Sequence, residues 1–385
     1  MMNVHVYVNN AVSMNARGLS GFQLEQVFAA KLRELLGQAQ WMRGWEVQPM
    51  QGPDTGFDLL VALPLPGGGK AALCVECKSE LRPSQFGQLI GRHFSPPGKF
   101  KQVVPVLALP WVSPRLQELC REHGWSWFDL AGNHRLDVPD FLLLLRNGNA
   151  PVHERPRATA NLSTPEAGRV IRVLLLPDNA GMRWTQREMQ NHCQPNVSLG
   201  LVNKVVRHLH DEAFIEKSDD GFRLREPLKL LFVWRDVYRF DRHERRSYFT
   251  LLQGKKLRDA LANLGLRTGG FAAYASFSAA EFQAPHVRQS RTWLFVRQQE
   301  ISKFEQLAEA KPVDSGENIV VLIPDDDGVF YSGDGGMMGD HRLACTNAVQ
   351  TYVDLCHSGG RGQEAADALL EQKLKPEWKV RGMKL

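Results

Sequence analysis

The chain has 385 residues, of which 43% are hydrophobic and 23% charged, and its formal net charge is +5. It is long enough for two or three domains with cores of their own and too apolar to be read as disordered, and its mild basicity is compatible with a nucleic-acid partner without establishing one. No apolar run is long enough to span a bilayer. Residues 1–10 lack the basic and then apolar layout of a signal peptide, so the expectation is a cytoplasmic protein with no membrane partner. Six cysteines in this length do not make a disulfide framework.

Taken in chain order, Ser20 and Gln23 form a capping-box pattern that opens a helix ending near Gly37. Leu24, Phe28, Leu32, Leu35 and Leu36 fall on one stripe of it. Glu25 lies inside that stripe, where a carboxylate is unusual. Residues 45–51 read as a strand and 52–56 as a turn. Residues 57–78 then hold two apolar runs around a turn of Pro64, Pro66, Gly67, Gly68 and Gly69, the pattern of a β-hairpin. Asp58 opens the first run, and Glu76 and Lys78 end the second. Alternation puts Glu76 and Lys78 on one face and Val75 and Cys77 on the other. Charges on an otherwise apolar strand are costly to bury without partners, and Asp58 is the neighbour at hand. Asp54, in the turn, is a second candidate for the first acidic position. Cys74 and Cys77 fall on opposite faces and read as small core residues. Residues 83–91 read as a helix start with Gln85 near the acidic residues, 103–109 as a covered central strand, 114–124 as a helix capped by Ser113, and 125–130 as a last strand.

Asp58 followed by Glu76-Cys77-Lys78 resembles the signature of the PD-(D/E)XK, or restriction-endonuclease-like, nuclease superfamily, and the order of elements over residues 1–150 is the one that its core requires. The resemblance implies Asp58 and Glu76 as ligands of Mg²⁺ or Mn²⁺ and Lys78 as a catalytic residue that orients the attacking water or adds positive charge beside it. In that superfamily the first helix often adds a Glu, and Glu25 is the candidate; otherwise Glu25 reaches solvent at the edge of its stripe. Carboxylate oxygens are the hard donors that Mg²⁺ prefers, and such a metal activates water and stabilises charge on a phosphate. The alternative is a nuclease fold without activity. The stretch WFDLAGNHRL, residues 127–136, resembles a segment of bacterial proteins that join such a domain to a winged helix.

Residues 150–164 carry no apolar period and read as a linker. Ser163-Thr164-Pro165-Glu166 opens a helix that ends before Pro177, residues 184–188 open a second, and Ser198 caps a third. Leu201, Val202, Val205, Val206 and Leu209 repeat with helical spacing on the third. Its other face carries Asn203, Lys204, Arg207 and His208. Asp219-Asp220-Gly221 then turns a hairpin over 215–225. Three helices and a hairpin make a winged helix over 151–229. Its third helix would present Asn203, Lys204, Arg207 and His208 to the major groove of DNA; the other use of such a module is protein–protein association. His208 and His210 read as a surface pair and not as metal ligands.

Residues 230–252 read as one helix in which arginines interleave with aromatic side chains, 271–282 as a small-residue helix on a sheet, and 293–296 and 318–323 as strands. Val349-Gln350-Thr351-Tyr352-Val353-Asp354-Leu355 followed by Gly359-Gly360-Arg361-Gly362-Gln363-Glu364-Ala365-Ala366, together with the earlier SFSAAEFQAP, resembles the abortive-infection type IV antitoxin family (AbiEi-like) over roughly residues 164–385. That resemblance implies a winged helix that represses its own operon and a toxin partner of nucleotidyltransferase type. Gly359-Gly360 suits a helix C-cap, and Asp354 with Arg361 reads as a structural pair across the turn.

The expectation is therefore a mixed α/β chain: a restriction-endonuclease-like sheet flanked by helices over residues 1–150, a linker and winged helix over 151–229, and a smaller α/β domain over 230–385. The first functional expectation is a metal-dependent DNA endonuclease or nickase. The second is a DNA-binding repressor or antitoxin with an inactive nuclease-like scaffold, and the third a plasmid-transfer or replication protein that nicks one strand. One metal site per chain implies a homodimer for cutting both strands.

Overall fold

A computed structural model describes residues 21–50, 56–150, 160–268, 271–333 and 344–385, and of these the side chains of 266–268 are not described. The chain divides into two compact units, 1–157 and 158–385. The expected cap at Ser20, the alternative Asp54 and most of the expected linker lie outside the described residues.

The first unit contains α1 (Gly21–Gly37), β1 (Glu46–Pro49), β2 (Leu59–Pro64), β3 (Lys70–Cys77), α2 (Gly87–Ile90), β4 (Gln102–Leu109), α3 (Pro114–Glu122), β5 (Ser126–Asp129), β6 (His134–Val138) and β7 (Leu142–Arg146). The seven strands form one sheet in chain order, with β3–β4 and β4–β5 parallel and the other pairs antiparallel. The mixed α/β class with a large mixed sheet flanked by helices is thus present. Alternation along β3 explains the layering. Leu73, Val75 and Cys77 join Leu24, Phe28, Leu32 and Leu36 of α1 in one cluster. Cys74 joins Phe57 and Leu60 on the opposite side, where Leu107, Leu116, Trp125 and Trp127 form a further cluster around α3. Cys74 and Cys77 are buried free thiols on opposite faces. The sheet does not end at residue 130, as the sequence suggested. Asp129 accepts from the backbone and side-chain amides of Asn133 at 2.9 and 3.0 Å, which tightens the turn and brings β6 back beside β5.

The second unit begins with α4 (Pro165–Leu175), α5 (Gln186–His192), α6 (Leu199–Asp211), β8 (Ile215–Ser218) and β9 (Gly221–Leu224). Each helix is opened by a hydroxyl cap: Thr164, Thr185 and Ser198 accept from the backbone amides of Ala167, Glu188 and Leu201. Gly221 sits at the hairpin tip with φ +134°, and a Cβ there would collide with the carbonyl of Trp184. Close approach is required because Trp184 and Phe222 exchange backbone hydrogen bonds of 2.8 and 2.9 Å.

The chain continues through α7 (Pro227–Val237), β10 (Glu244–Phe249), α8 (Gly254–Thr268), β11 (Ala272–Tyr274), α9 (Ser276–Gln283), β12 (Thr292–Val296), α10 (Ile301–Leu307), β13 (Lys311–Pro312), β14 (Ile319–Ile323), α11 (Ala348–His357), α12 (Gly362–Leu369) and α13 (Lys375–Val380). Five strands pair in the order β11-β12-β14-β10-β13. Residues 230–252 are not one helix. The helix stops at Val237, and 244–248 pair with the buried strand β14, whose partnership outweighs the weak local pattern. The expected helix over 271–282 begins with a short strand and turns helical from Ser276. The expected division at 229/230 falls inside α7. One hydrophobic cluster joins Val170, Ile171 and Val205 of the three-helix segment to Phe295, Val320, Val349 and Trp378 of the remainder. Trp378 is fully buried, and its Nε1 donates to the carbonyl of Leu175 at 3.0 Å.

Candidate functional site

The β2–β3 hairpin brings the predicted acidic residues together. Its register pairs Leu59 with Val75, and the amide of Asp58 donates to the Val75 carbonyl at 2.8 Å. Asp58 therefore stands opposite the end of β3, and its Oδ2 accepts from the amide of Cys77 at 2.7 Å. Glu76 and Lys78 project from the same strand end on one face. The Lys78 amide donates to the Ala108 carbonyl at 3.0 Å, so the parallel partner β4 holds this end in place.

Glu76 is 3% exposed and Lys78 37%. Lys78 Nζ lies 2.5 Å from Glu76 Oε1. A third residue, unmarked in the sequence analysis, completes the group: Arg92 Nη1 donates to the same Oε1 at 2.7 Å. Arg92 follows α2 in a stretch without apolar period, so only its charge between two elements could have drawn notice. Glu25, half-buried on α1, joins through Asp58. Burial and then the Asp58 charge push its carboxyl up. Burial also raises Asp58, with the Glu76 charge acting in the same sense and the Cys77 amide, Lys78 and Arg92 opposing it. The Cys77 thiol is pushed up by burial first and then by these carboxylates, and it remains a neutral thiol at neutral pH. Gln85 is not part of the group: its Oε1 accepts from the Arg82 amide at 3.0 Å as a local cap.

The donor set suits a hard divalent cation in kind. Asp58, Glu76 and Glu25 offer carboxylate oxygens, and a cation would relieve the like-charge pressure that raises Asp58. Among the described residues, however, no group of three or more His, Cys, Asp or Glu stands ready to enclose a metal ion. Glu76 Oε1 faces two cationic side chains, Lys78 and Arg92.

A cavity of about 470 Å³ lies at the other end of the same sheet, lined by Gln102, Val103, Arg121, Trp125 and Arg135 among others, and the acidic group does not contribute to it. The acidic group sits where β3 ends, between its sheet neighbours β2 and β4.

In the second unit, α6 buries Val202, Val205, Val206 and Leu209 and leaves Lys204 and Arg207 exposed. Asn203 is tethered: its Nδ2 donates to Gln186 Oε1, and its Oδ1 accepts from Arg207 Nη2, both at 3.3 Å. His208 is partly buried, and burial lowers its pKa, so it is a poorer source of positive charge than its two neighbours. On the hairpin Arg223 pairs with Glu216, and Arg183, which precedes α5, pairs with Asp220 of the turn.

The expected Asp354–Arg361 pair does not form. Arg361 pairs with Glu364 one turn along, at 2.5 Å. Asp354 is fully buried instead. Its Oδ1 accepts from Tyr238 at 3.0 Å and from Gln350 at 2.7 Å, while Tyr238 also meets His243 Nε2 at 2.7 Å and Gln350 Oε1 takes the guanidinium of Arg172. This polar cluster ties α4, α7 and α11.

No family model matches the chain, and no curated protein or solved structure matches it. Among the described residues no helix is long and apolar enough to cross a membrane.

Proposed function

We propose that the chain is a DNA-binding, metal-dependent phosphodiesterase of PD-(D/E)XK type, an endonuclease or nickase whose site is Asp58, Glu76 and Lys78 with Glu25 beside them. The observation that carries this reading is the convergence of those side chains at one end of the β2–β3 hairpin, next to the parallel strand β4. Asp58 and Glu76 would hold Mg²⁺ or Mn²⁺, with Glu25 adding negative charge. The bound ion would supply an acidified water and neutralise charge on the phosphate. Lys78, on the solvent side of Glu76, would orient that water or stabilise the charge that develops on the phosphate oxygens. The helix–hairpin segment, read as a winged helix, would bring DNA to the chain through Lys204 and Arg207 at the phosphates and Asn203 at a base edge, with His208 at its margin. Cutting both strands would call for two copies of the chain.

One observation favours a second reading. Glu76 is already neutralised by Lys78 and Arg92, as befits a scaffold that no longer holds a metal. The chain would then be a non-enzymatic autorepressor or antitoxin of AbiEi-like type, with a nucleotidyltransferase-type toxin as its partner.

Supercoiled plasmid with Mg²⁺ or Mn²⁺ separates the two. The nuclease reading expects nicking that Glu76→Gln and Lys78→Met each reduce by about 100-fold or more, with DNA binding retained. Binding without cleavage in the unaltered protein selects the second reading.

A further inference from the structure

The cavity in the first unit is a notch built by strands of unequal length. β4 begins at Gln102 but pairs with β5 only from Val106 onward, opposite Ser126. On the other side β6 pairs with β5 through His134 and Arg135 and runs on to Val138. Residues 102–105 and the end of β6 therefore flank a gap that β5 does not fill. The chain reaches β5 from α3 through Gly124 and Trp125, whose amide donates to the Cys120 carbonyl at 2.8 Å. Side chains bridge the gap in place of a strand. Ser126 Oγ accepts from the Asp137 amide at 2.9 Å and donates to the Asp137 carbonyl at 3.3 Å, and Gln102 Nε2 donates to the Pro139 carbonyl at 3.3 Å. Pro105 stands where β4 has no β5 residue opposite it, so its missing amide costs no rung to that strand.

Three features of the notch point to a ligand. Its volume of about 470 Å³ lies within the range of roughly 300–1,000 Å³ common to small-molecule sites. Gln102 lines it, and Gln102 Oε1 is buried with no hydrogen-bond partner among the described residues. The amide cannot turn over to relieve this, because the Pro139 carbonyl only accepts and so holds Nε2. An orphaned buried acceptor is costly and calls for a donor. Arg121 also lines the notch, with an exposed side chain that has no hydrogen-bond or ion-pair partner among the described residues. Arg135 is tied to Asp137 at 2.5 Å, so Arg121 leaves the walls with one positive charge in excess. The rest of the lining is largely apolar and includes Val103, 43% exposed.

We propose that the notch binds a small organic anion, a phosphate monoester or a carboxylate, whose body carries an N–H or O–H donor. Arg121 takes the anionic group through the charge-assisted hydrogen bonds that a guanidinium offers to either oxyanion. The body lies on Val103 and the prolines, and its donor meets Gln102 Oε1. An inorganic anion would satisfy Arg121 and leave the Gln102 oxygen bare, and a neutral amine would do the reverse. β4 pairs Gln102 with Ala71 and Leu107 with Glu76, so the notch and the acidic group lie at opposite ends of β3. The proposal therefore stands apart from the nuclease reading.

Isothermal titration calorimetry of the full chain tests this, with adenosine monophosphate as the phosphate probe and para-aminobenzoate as the carboxylate probe. Purine riboside monophosphate and benzoate are the same anions without the amine. At least one amine-bearing probe is expected to bind saturably, and more tightly than inorganic phosphate or adenosine; which of the two binds identifies the anion. Arg121→Ala should weaken that binding by about tenfold. Gln102→Met should weaken the amine-bearing probe by about fivefold and leave its amine-free counterpart unchanged, a difference that general damage to the fold would not give. Val103→Trp, which fills the notch from an exposed strand position, should abolish binding with the thermal melt unchanged. Saturable binding by neither probe overturns the proposal. Binding that Arg121→Ala and Val103→Trp leave unchanged overturns it too, since the ligand would then sit elsewhere on the chain. So does inorganic phosphate binding as tightly as the probes, or a loss in Gln102→Met that is equal with and without the amine.

Discussion

Asp354 and Glu76 are both buried acids, and their surroundings decide what each can do. Glu76 faces two cations near the end of an interior strand. Asp354 has neutral hydrogen-bond donors, its Oδ2 has no hydrogen-bond partner, and burial pushes its pKa up to about 7 from an ordinary 3.8. Between those values the folded carboxyl keeps a proton that the unfolded chain has released, so its contribution to stability falls as pH rises. His243, joined to it through Tyr238, works the other way. Burial lowers it to about 4 from 6.5, so over that range the unfolded chain holds the extra proton and stability rises with pH. The two oppose each other in the intact protein. Asp354→Asn removes one of them, and its melting temperature should climb more steeply between pH 4 and 6.5 than that of the unaltered protein. Parallel slopes in thermal melts across that range would show that the cluster does not titrate in this way. The cluster was hidden in the sequence because its members are spread over residues 172–354 and the local reading paired Asp354 with Arg361. Glu76 was legible because two charges interrupt an apolar run on a strand face. Arg92 was not, because nothing in a loop's composition says which carboxylate it will reach.

At the scale of elements, legibility follows the strength of local signals. Helices opened by Thr164, Thr185 and Ser198 appear where their caps put them, since a hydroxyl that satisfies an orphan amide acts within three residues. Strand β10 escaped notice because its side chains Glu244-Arg245-Arg246-Ser247 are largely exposed and only its pairing with β14 makes it a strand. The strand over 125–130 was legible, but the two strands after it were not. On α6 the exposed cations Lys204 and Arg207 are the phosphate contacts of the proposed DNA interface, and salt tests them. Lys204→Ala with Arg207→Ala should weaken DNA binding and lower the slope of log affinity against log salt by about 2, near one unit per lost phosphate contact. An unchanged slope in fluorescence anisotropy titrations would remove α6 from the DNA interface.

For the molecule as a whole, the larger of the two cores of the second unit runs through most of its length, beside a smaller one around Tyr248 and Phe304. The segment read as a winged helix and the C-terminal sheet share a hydrophobic cluster, and Trp378 near the end of the chain fills the space beside Leu175. Such sharing cannot be read from periodicity, which tells that a face is apolar and not what covers it. Gly362 marks the same economy of space: a Cβ there would collide with the carbonyl of Leu355, so α12 can fold back on α11 only with glycine at its start. The first unit carries the acidic group as a self-contained arrangement of α1, β2, β3 and the Arg92 loop. The proposed role of this group is phosphodiester hydrolysis. Single-turnover cleavage of a bound DNA duplex by the unaltered protein and by Asp58→Asn tests it most directly, since asparagine keeps an acceptor for the Cys77 amide and removes the charge. Metal-dependent cleavage that Asp58→Asn slows by about 100-fold or more, with DNA affinity unchanged, is the expected result. Cleavage at the same rate by Asp58→Asn, or none by the unaltered protein with bound DNA and metal, would contradict it.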